Sequence, residues 1–427
     1  MPELFIAADD FTGALDTGVK LAQQGISVRV VNGIENMSAC AEDVLVANLD
    51  TRHVSRDEAY HTTFSACEDA LILGARCIYI KTDSGLRGNI GAALEAAARA
   101  VKGKLVFVPA YPALKRRTEH GVVMIGDVPV TQSVFGKDPL NPVRHDQILD
   151  IIAEQTSLDI RLNGDAGAHS LPYIDIEELN TEEAMLEYAN AERQGIEKEQ
   201  VFVDKHKILG RILRRIREKN SGKAYAGCAG FAAVLGTLLG LKTSEPQRAK
   251  IQLPLIVLSA SLSQINFEQM RAGENSGLYC YPFYDVLKRE PDFEALVLCA
   301  LENPLGALIE SAKTKADAEE LSSRGEQMGL DASARANRIA FNMGRAAKAL
   351  VNAGFQGTLC FFGGDVLSAA LQSLECSALM PVCEIELGVV IAKAILPDKE
   401  ITIVTKSGSF GSPGIIQKLI KYAEENQ

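Results

Sequence analysis

Leu4-Phe5-Ile6-Ala7-Ala8-Asp9-Asp10-Phe11-Thr12-Gly13-Ala14 is the stretch whose reading decides the fold. Residues 4–8 form a short apolar run that reads as a buried strand, and an acidic turn follows at once. From Ala14 the pattern is helical, with Ala14, Val19, Leu21 and Ala22 supplying an apolar face. Strand, polar turn and helix in succession make the repeating unit of an open α/β sheet, whose ligands bind beyond the carboxyl ends of the strands. Asp10 or Thr12 alone would serve as a helix cap. The turn carries more polar groups than a cap needs, and two adjacent carboxylates are costly unless something pairs with them.

The same unit recurs along the chain. Strands are predicted at 4–8, 27–31, 44–49, 77–81, 105–108 and 201–203, then at 253–259, 295–299, 359–362 and 401–405. Helical periodicity between them, as over 89–101, points to parallel sheets with crossover helices. At 427 residues the chain is long for one core. The polar stretch Lys242-Thr243-Ser244-Glu245-Pro246-Gln247-Arg248 separates an Ala/Gly-rich helix over 230–241 from a new strand. The expectation is two α/β domains with largely parallel sheets, 1–243 and 250–427, and an active-site cleft between them. Residues 209–219 (LGRILRRIREK) look basic, yet their aliphatic residues recur at helical spacing, as in a solvated amphipathic helix.

The polar turns carry the chemistry. Lys81-Thr82-Asp83-Ser84-Gly85-Leu86-Arg87 ends one predicted strand, and Asp50-Thr51-Arg52 ends another. If these strands neighbour the first, Asp9, Asp10, Arg52, Lys81, Asp83, Ser84 and Arg87 converge on one crevice. Lysine and arginine would clamp an anion and the hydroxyls would bond a polyol. Asp83 as a helix cap and Lys81 as a surface charge are the plainer reading. A further loop, from Pro109 through His120 to Asp138-Pro139-Leu140-Asn141-Pro142, is proline-rich and reads as ordered. His120 there is more naturally incidental than a base, and Asp138-Pro139 reads as a turn.

The C-terminal half carries a different set of turns. Gly363-Gly364-Asp365 follows a buried strand and precedes a helix over 366–374. Lys406-Ser407-Gly408-Ser409-Phe410-Gly411 and Ala260-Ser261-Leu262-Ser263 also follow strands. Glycines let backbone N–H groups approach an anion, and a helix N-terminus adds a favourable dipole. Asp365 suits an N-cap or a metal contact. GxxxxGK[ST], GxGxxG, GxSxG and HExxH are all absent, which counts against P-loop, dinucleotide-binding, esterase and zinc-protease designs. A polyol crevice in one half and anion-cradling turns in the other suggest phosphoryl transfer.

Composition bounds the setting. The formal net charge of −11 gives no general attraction for nucleic acid or anionic membrane. Nine scattered cysteines without a CxxC pair argue against zinc and disulfide frameworks. The N-terminus runs straight into a strand with no signal segment or long apolar span, so a soluble cytoplasmic protein is expected. Most soluble oligomers are symmetric, and a homodimer is the assembly to expect.

These residues resemble the four-carbon acid-sugar kinase family, whose members phosphorylate D-threonate, D-erythronate or 3-oxo-tetronate at the terminal hydroxyl. Ala8-Asp9-Asp10-Phe11-Thr12-Gly13-Ala14 with Asp16-Thr17-Gly18 is similar to its ADD-x-TGA-x-DTG signature. Lys81-Thr82-Asp83-Ser84 with Leu86-Arg87-Gly88-Asn89 is similar to its K-x-DST-LRGN motif, with Gly85 in place of threonine. Arg116-Arg117-Thr118 with Gly121 is similar to its GRT segment. The resemblance spans nearly the whole chain. It implies that the N-terminal domain binds a sugar acid through Asp10, Arg52, Lys81, Thr82, Asp83 and Ser84, with Arg87 beside them. It implies that the C-terminal domain binds ATP through Ser261, Gly363, Gly364, Asp365, Val366 and Gly408. Departures cluster in that half: the family's GSCS reads Ala260-Ser261-Leu262-Ser263, GGET reads Gly363-Gly364-Asp365-Val366, and PGVP is replaced by Leu387-Gly388-Val389-Val390.

The expectation is therefore an ATP- and Mg2+-dependent kinase of a small sugar acid. Arg52 and Lys81 would neutralise the substrate carboxylate, and Asp10, or after it Asp83, would accept the proton of the attacking hydroxyl. The metal's ligands are not identified from the sequence. Two rivals stand beside this: a non-catalytic sugar-acid sensor with disabled C-terminal turns, and a lyase using Lys81 as an amine nucleophile.

Overall fold

The computed structural model describes the chain apart from residues 38–40, 164–170, 206–222, 248, 409 and 426–427, and gives the backbone alone for 196–205. The described residues divide into two compact units, Met1–Pro246 and Gln247–Gln427. The amphipathic reading of 209–219 lies outside the described residues.

The first unit carries β1 (Leu4–Ala8), β2 (Val28–Asn32), β3 (Val44–Asn48), β4 (Cys77–Lys81), β5 (Lys104–Val108), β6 (Arg116–Glu119), β7 (Val122–Ile125), β8 (Val128–Pro129), β9 (Asp159–Leu162), β10 (Tyr173–Ile176) and β11 (Lys223–Gly227). Eight of them form a parallel sheet in the order β2-β3-β1-β4-β11-β5-β10-β9. β6, β7 and β8 make a small antiparallel sheet of their own. Every residue of β1, β3 and β4 is buried. Their apolar runs are what a parallel strand needs when both of its faces are covered. The Ala-rich helix Ile90–Val101, buried along most of its length, lets backbone pack close to this sheet.

Register then places the polar turns. Ala8 at the end of β1 is level with Asn48 of β3 on one side and Lys81 of β4 on the other. The three strands therefore release their turns side by side at one edge.

The second unit carries β12 (Leu255–Ser259), β13 (Tyr279–Pro282), β14 (Gly306–Glu310), β15 (Thr358–Phe362), β16 (Ala378–Glu386), β17 (Val389–Ile395) and β18 (Glu400–Lys406). Their order is β13-β14-β12-β15-β18-β17-β16, parallel as far as β18 and antiparallel beyond it. Leu255, Val257, Leu308, Cys360, Phe362 and Val404 meet Ile416 and Leu419 of the last helix in one buried core. Ser259, Phe362 and Lys406 end their strands at the same level. Here too, three turns emerge together.

The sequence reading erred at particular places. Residues 201–203 were predicted as strand but lie in the helix Glu182–Lys205, whose preceding Glu- and Ala-rich turns favour helix over the short Val-Phe-Val run. Residues 295–299 lie in the helix Glu294–Glu302, and the strand of that region is β14, Gly306–Glu310. The helix expected over 230–241 is two short ones, Ala229–Ala232 and Leu235–Leu239. No helix among the described residues is long and apolar enough to cross a membrane.

Candidate functional site

The N-terminal site is built on the ends of β1, β3 and β4. Asp10 is the N-cap of the helix Phe11–Ala22, accepting from the Gly13 amide at 3.0 Å and from the Thr12 hydroxyl at 2.7 Å. It is more than a cap, because Arg52 reaches across from the turn after β3. Arg52 Nε meets Asp9 at 2.7 Å, while its terminal nitrogens meet the two oxygens of Asp10 at 2.9 and 3.0 Å. Asp83 lies 3.9 Å from the same guanidinium. Arg52 thus offsets a cluster of three carboxylates that could not be buried unpaired.

Asp83 is held more tightly still. Arg87 donates to its two oxygens at 2.9 and 3.0 Å, and the amides of Gly85 and Arg87 donate at 3.2 Å each. Arg87 also pairs with Asp138 at 3.0 Å. Asp138 in turn caps its own loop by accepting from the Leu140 and Asn141 amides. The proline-rich loop therefore reaches this cluster through Asp138, where the sequence shows only a turn.

Electrostatics separates the three acids. Burial pushes the Asp9 carboxyl up, and Arg52 offsets only part of that. Burial acts on Asp10 too, but Arg52, Lys81 and the Thr12 hydroxyl together hold it below the usual carboxylate range. Asp83 too is held well below that range, its burial outweighed by Arg52 and by the hydrogen bonds of Arg87. Asp10 is also the most accessible, with 25% of its side chain exposed against 13% for Asp9 and 9% for Asp83.

Lys81 is 5% exposed, yet among the described residues its ammonium has no hydrogen bond or ion pair within reach. It lies close over the first turn of the helix: a β-carbon on Gly13 would fall 2.6 Å from Lys81 Nζ and 2.4 Å from Asp10 Oδ1. Only glycine lets backbone and both charged tips share that space. Beneath the site, a cavity of about 10 Å³ is lined by Asp9, Lys81, Thr82 and Asn89 among others. Among the described residues the buried Asp9 Oδ1 and Thr82 Oγ1 have no hydrogen-bond partner. Ser84 accepts from Arg116 Nη1, and the Phe135 ring lies beneath both Arg87 and Arg116. His120 is exposed and takes no part.

Three neighbouring strand ends make the site of the second unit. Gly363, at φ 117°, precedes the helix Gly364–Ser373, which no side chain caps. Nothing lies within 4 Å of where a β-carbon would stand on Gly363 or Gly408. Both turns are thus open at these glycines. The Gly363 amide itself donates to the Lys406 carbonyl at 2.9 Å, and the helix N-terminus that starts at Gly364 belongs to the first turn alone. Val366 is buried in that helix and contributes only backbone to the turn. Ser261 is fixed by Asn266, which donates to its carbonyl at 3.0 Å, and its hydroxyl is 3.1 Å from that of Ser263.

Two residues that the sequence did not single out, or singled out for another task, shape this half. Lys406 was read as part of a phosphate cradle, but it is 1% exposed and donates to the Gly408 carbonyl at 2.6 Å. Burial pushes its pKa down to about 8. It braces the turn through the Ser407 and Gly408 carbonyls. Buried Gln269 donates to the carbonyls of Phe410, Gly411 and Ser412 at 3.0 to 3.1 Å, tying the helix after Ser261 to the Gly408 turn. Nothing in a lone glutamine at 269 signals that. A larger cavity of about 430 Å³ lies beside β13 and β14, with Cys280, Glu310, Lys313 and Arg324 in its walls, and contains none of the expected site residues.

No group of three or more His, Cys, Asp or Glu able to hold a metal occurs among the described residues.

Comparison with known proteins agrees with this division. The model of a sugar-binding N-terminal domain matches residues 4–235, and that of a nucleotide-binding C-terminal domain matches residues 256–416. D-threonate kinase of Salmonella typhimurium is 26% identical over 99% of both chains. 3-oxo-tetronate kinase of Methylobacterium radiotolerans is 26% identical over 95% of both. D-erythronate kinase of Heliobacterium modesticaldum is 25% identical over 89% of this chain and 87% of its own. Crystal structures of a Haemophilus influenzae protein (TM-score 0.74, 19% identity, 99% of both chains) and a Salmonella typhimurium protein (0.76, 20%, 100% of both) share the fold. On the two domain matches and these relatives, the chain belongs to the four-carbon acid-sugar kinase family and is a phosphotransferase with an alcohol group as acceptor.

Proposed function

We propose that this kinase transfers the terminal phosphoryl group of ATP to the 4-hydroxyl of a four-carbon sugar acid such as D-threonate, D-erythronate or 3-oxo-tetronate. The observation that carries the reading is Lys81, a buried ammonium with no hydrogen bond or ion pair among the described residues, set beside Asp10 at the end of a strand that runs on into Thr82 and Ser84. A kinase needs such parts, since phosphoryl transfer is governed by positioning and charge neutralisation more than by covalent chemistry.

In this scheme Arg52 holds Asp9 and Asp10 in place, and Lys81 turns its free N–H bonds to the substrate. Asp10, the most accessible of the acids, orients the attacking hydroxyl and takes its proton. Its lowered pKa makes it a weak base, which suffices where the transition state is loose and the proton leaves late. Asp83, fixed by Arg87, keeps the Lys81–Ser84 turn in shape. In the second unit the N-terminal turn of the helix Gly364–Ser373, entered through Gly363 and including Asp365 and Val366, receives the nucleotide phosphates together with the Gly408 turn and Ser261. Magnesium would supply charge neutralisation on those phosphates, and Asp365 would be the carboxylate to hold it.

A coupled assay of ADP release against a panel of tetronates tests the reading. We expect turnover on at least one tetronate, and a loss of at least about 100-fold in kcat/KM for Asp10→Asn. No turnover across the panel, together with no ATP binding by calorimetry, would overturn it.

A further inference from the structure

Three arginines gather around Asp83, and two of them are already matched by carboxylates. Arg52 is turned on Asp9 and Asp10, and Arg87 on Asp83 and Asp138. Arg116 differs. Among the described residues its guanidinium reaches no carboxylate at ion-pairing distance. Its side chain donates from Nη1 to the Ser84 hydroxyl and lies 4.8 Å from the centroid of the Phe135 ring. Its Nε is buried without a partner. A guanidinium offers five N–H donors and stays charged, and holding one partly buried without an anion is costly.

The GRT segment reads Arg116-Arg117-Thr118, so arginine stands in the glycine position. Gly85 stands where the K-x-DST motif has threonine, and a β-carbon on it would fall 2.5 Å from the Phe135 ring. Absence of a side chain at 85 is what admits Phe135. That ring in turn carries Arg87 at 5.1 Å and Arg116 at 4.8 Å, each at cation–π distance. The two departures from the motifs meet at one aromatic ring.

We propose that Arg116 and the Ser84 hydroxyl form the subsite for the substrate's carboxylate, with Phe135 positioning the guanidinium. The inference rests on the sugar-acid reading above and names the group that receives the acid end. Arg116 supplies a planar fork that matches a carboxylate. Ser84, accepting from Arg116, still has its own proton to donate to the same anion. Lys81 is then left for the hydroxyl and phosphoryl oxygens.

The test compares a tetronate with its uncharged amide in wild type, Arg116→Met and Arg116→Lys, with thermal melting to confirm that each variant is folded. Arg116→Met is expected to lower the acid-to-amide ratio of kcat/KM by roughly 10- to 100-fold, the range of a charged hydrogen bond, chiefly through KM for the acid. Arg116→Lys is expected to recover part of it. Calorimetry with the tetronate alone should show the same loss of affinity in Arg116→Met. An unchanged acid-to-amide ratio, or undiminished tetronate binding in that variant, would overturn the assignment. Failure of wild type to phosphorylate any tetronate would strike the functional reading, while the calorimetric comparison would still decide the role of Arg116.

Discussion

Arg52 grips Asp10 through both carboxylate oxygens, at 2.9 and 3.0 Å, while Asp10 caps the first helix through Gly13. One side chain therefore links the turn after β3 to the turn after β1. The geometry depends on a planar fork, which a lysine cannot reproduce. Arg52→Lys is expected to lower kcat/KM by about 100-fold or more, the scale of a misplaced catalytic group. Steady-state kinetics beside a melting curve checks this, and near-normal kinetics would show that the bidentate grip is dispensable.

Gly13 is the position where space is tightest. Gly13→Ala would place a β-carbon against Asp10 Oδ1 and Lys81 Nζ, both of them movable side-chain tips. The fold should survive while the charged groups are pushed apart. We expect kcat/KM to fall at least about tenfold with little change in melting temperature. Gly195→Ala, on an exposed helical position with open space, is the control and should gain roughly 0.5–1 kcal/mol of stability.

Asp83 gives a stability signal that depends on pH. Its native pKa lies below the ordinary carboxylate value, so the folded state binds fewer protons than the unfolded chain in the acid range. The resulting stability is fully present above about pH 4, the unfolded value, and is lost as pH falls toward the native one. Asp83→Asn is expected to cost about 3–5 kcal/mol at neutral pH, as for a broken buried pair. The difference from wild type should shrink on acidification, and denaturant titrations at several pH values would show it. A difference that does not vary with pH would mean that Asp83 is not ionised in the native protein.

Lys406 has the opposite sense. Its native pKa is pushed down to about 8 by burial, so between there and the ordinary lysine value the unfolded chain binds a proton that the folded chain does not. Stability attributable to this residue should rise with pH across that interval. Relative to Lys406→Met, wild type is expected to gain up to about 1 kcal/mol per pH unit between pH 8 and 10. Parallel unfolding curves of the two proteins provide the measurement, and no relative gain would place the ammonium in water.

What the sequence reveals here follows from where the information is local. Asp9, Asp10, Arg52 and Lys81 are legible because each ends an apolar run, and a parallel sheet brings such ends together. Asp138, Arg116 and Phe135 come from the region between β5 and β9, outside that repeating pattern, and reach the site only through long-range contacts. β11 (KAYAG) and β14 (GALIE) carry too little β-branched signal to be found, whereas 201–203 carry it inside a helix. Lys406 shows the limit of composition: lysine beside glycines suggests a phosphate cradle, but its burial turns the ammonium onto its own backbone.

The most direct test of the account is phosphorus NMR of the product formed from ATP, magnesium and the preferred tetronate. The account expects ADP together with a new phosphomonoester signal split by two protons, as a phosphorylated terminal CH2OH group requires. A signal split by one proton would place the phosphate on an internal hydroxyl. That result, or no phosphoester beside intact ATP, would contradict the assignment of this chain as a kinase acting on the 4-hydroxyl.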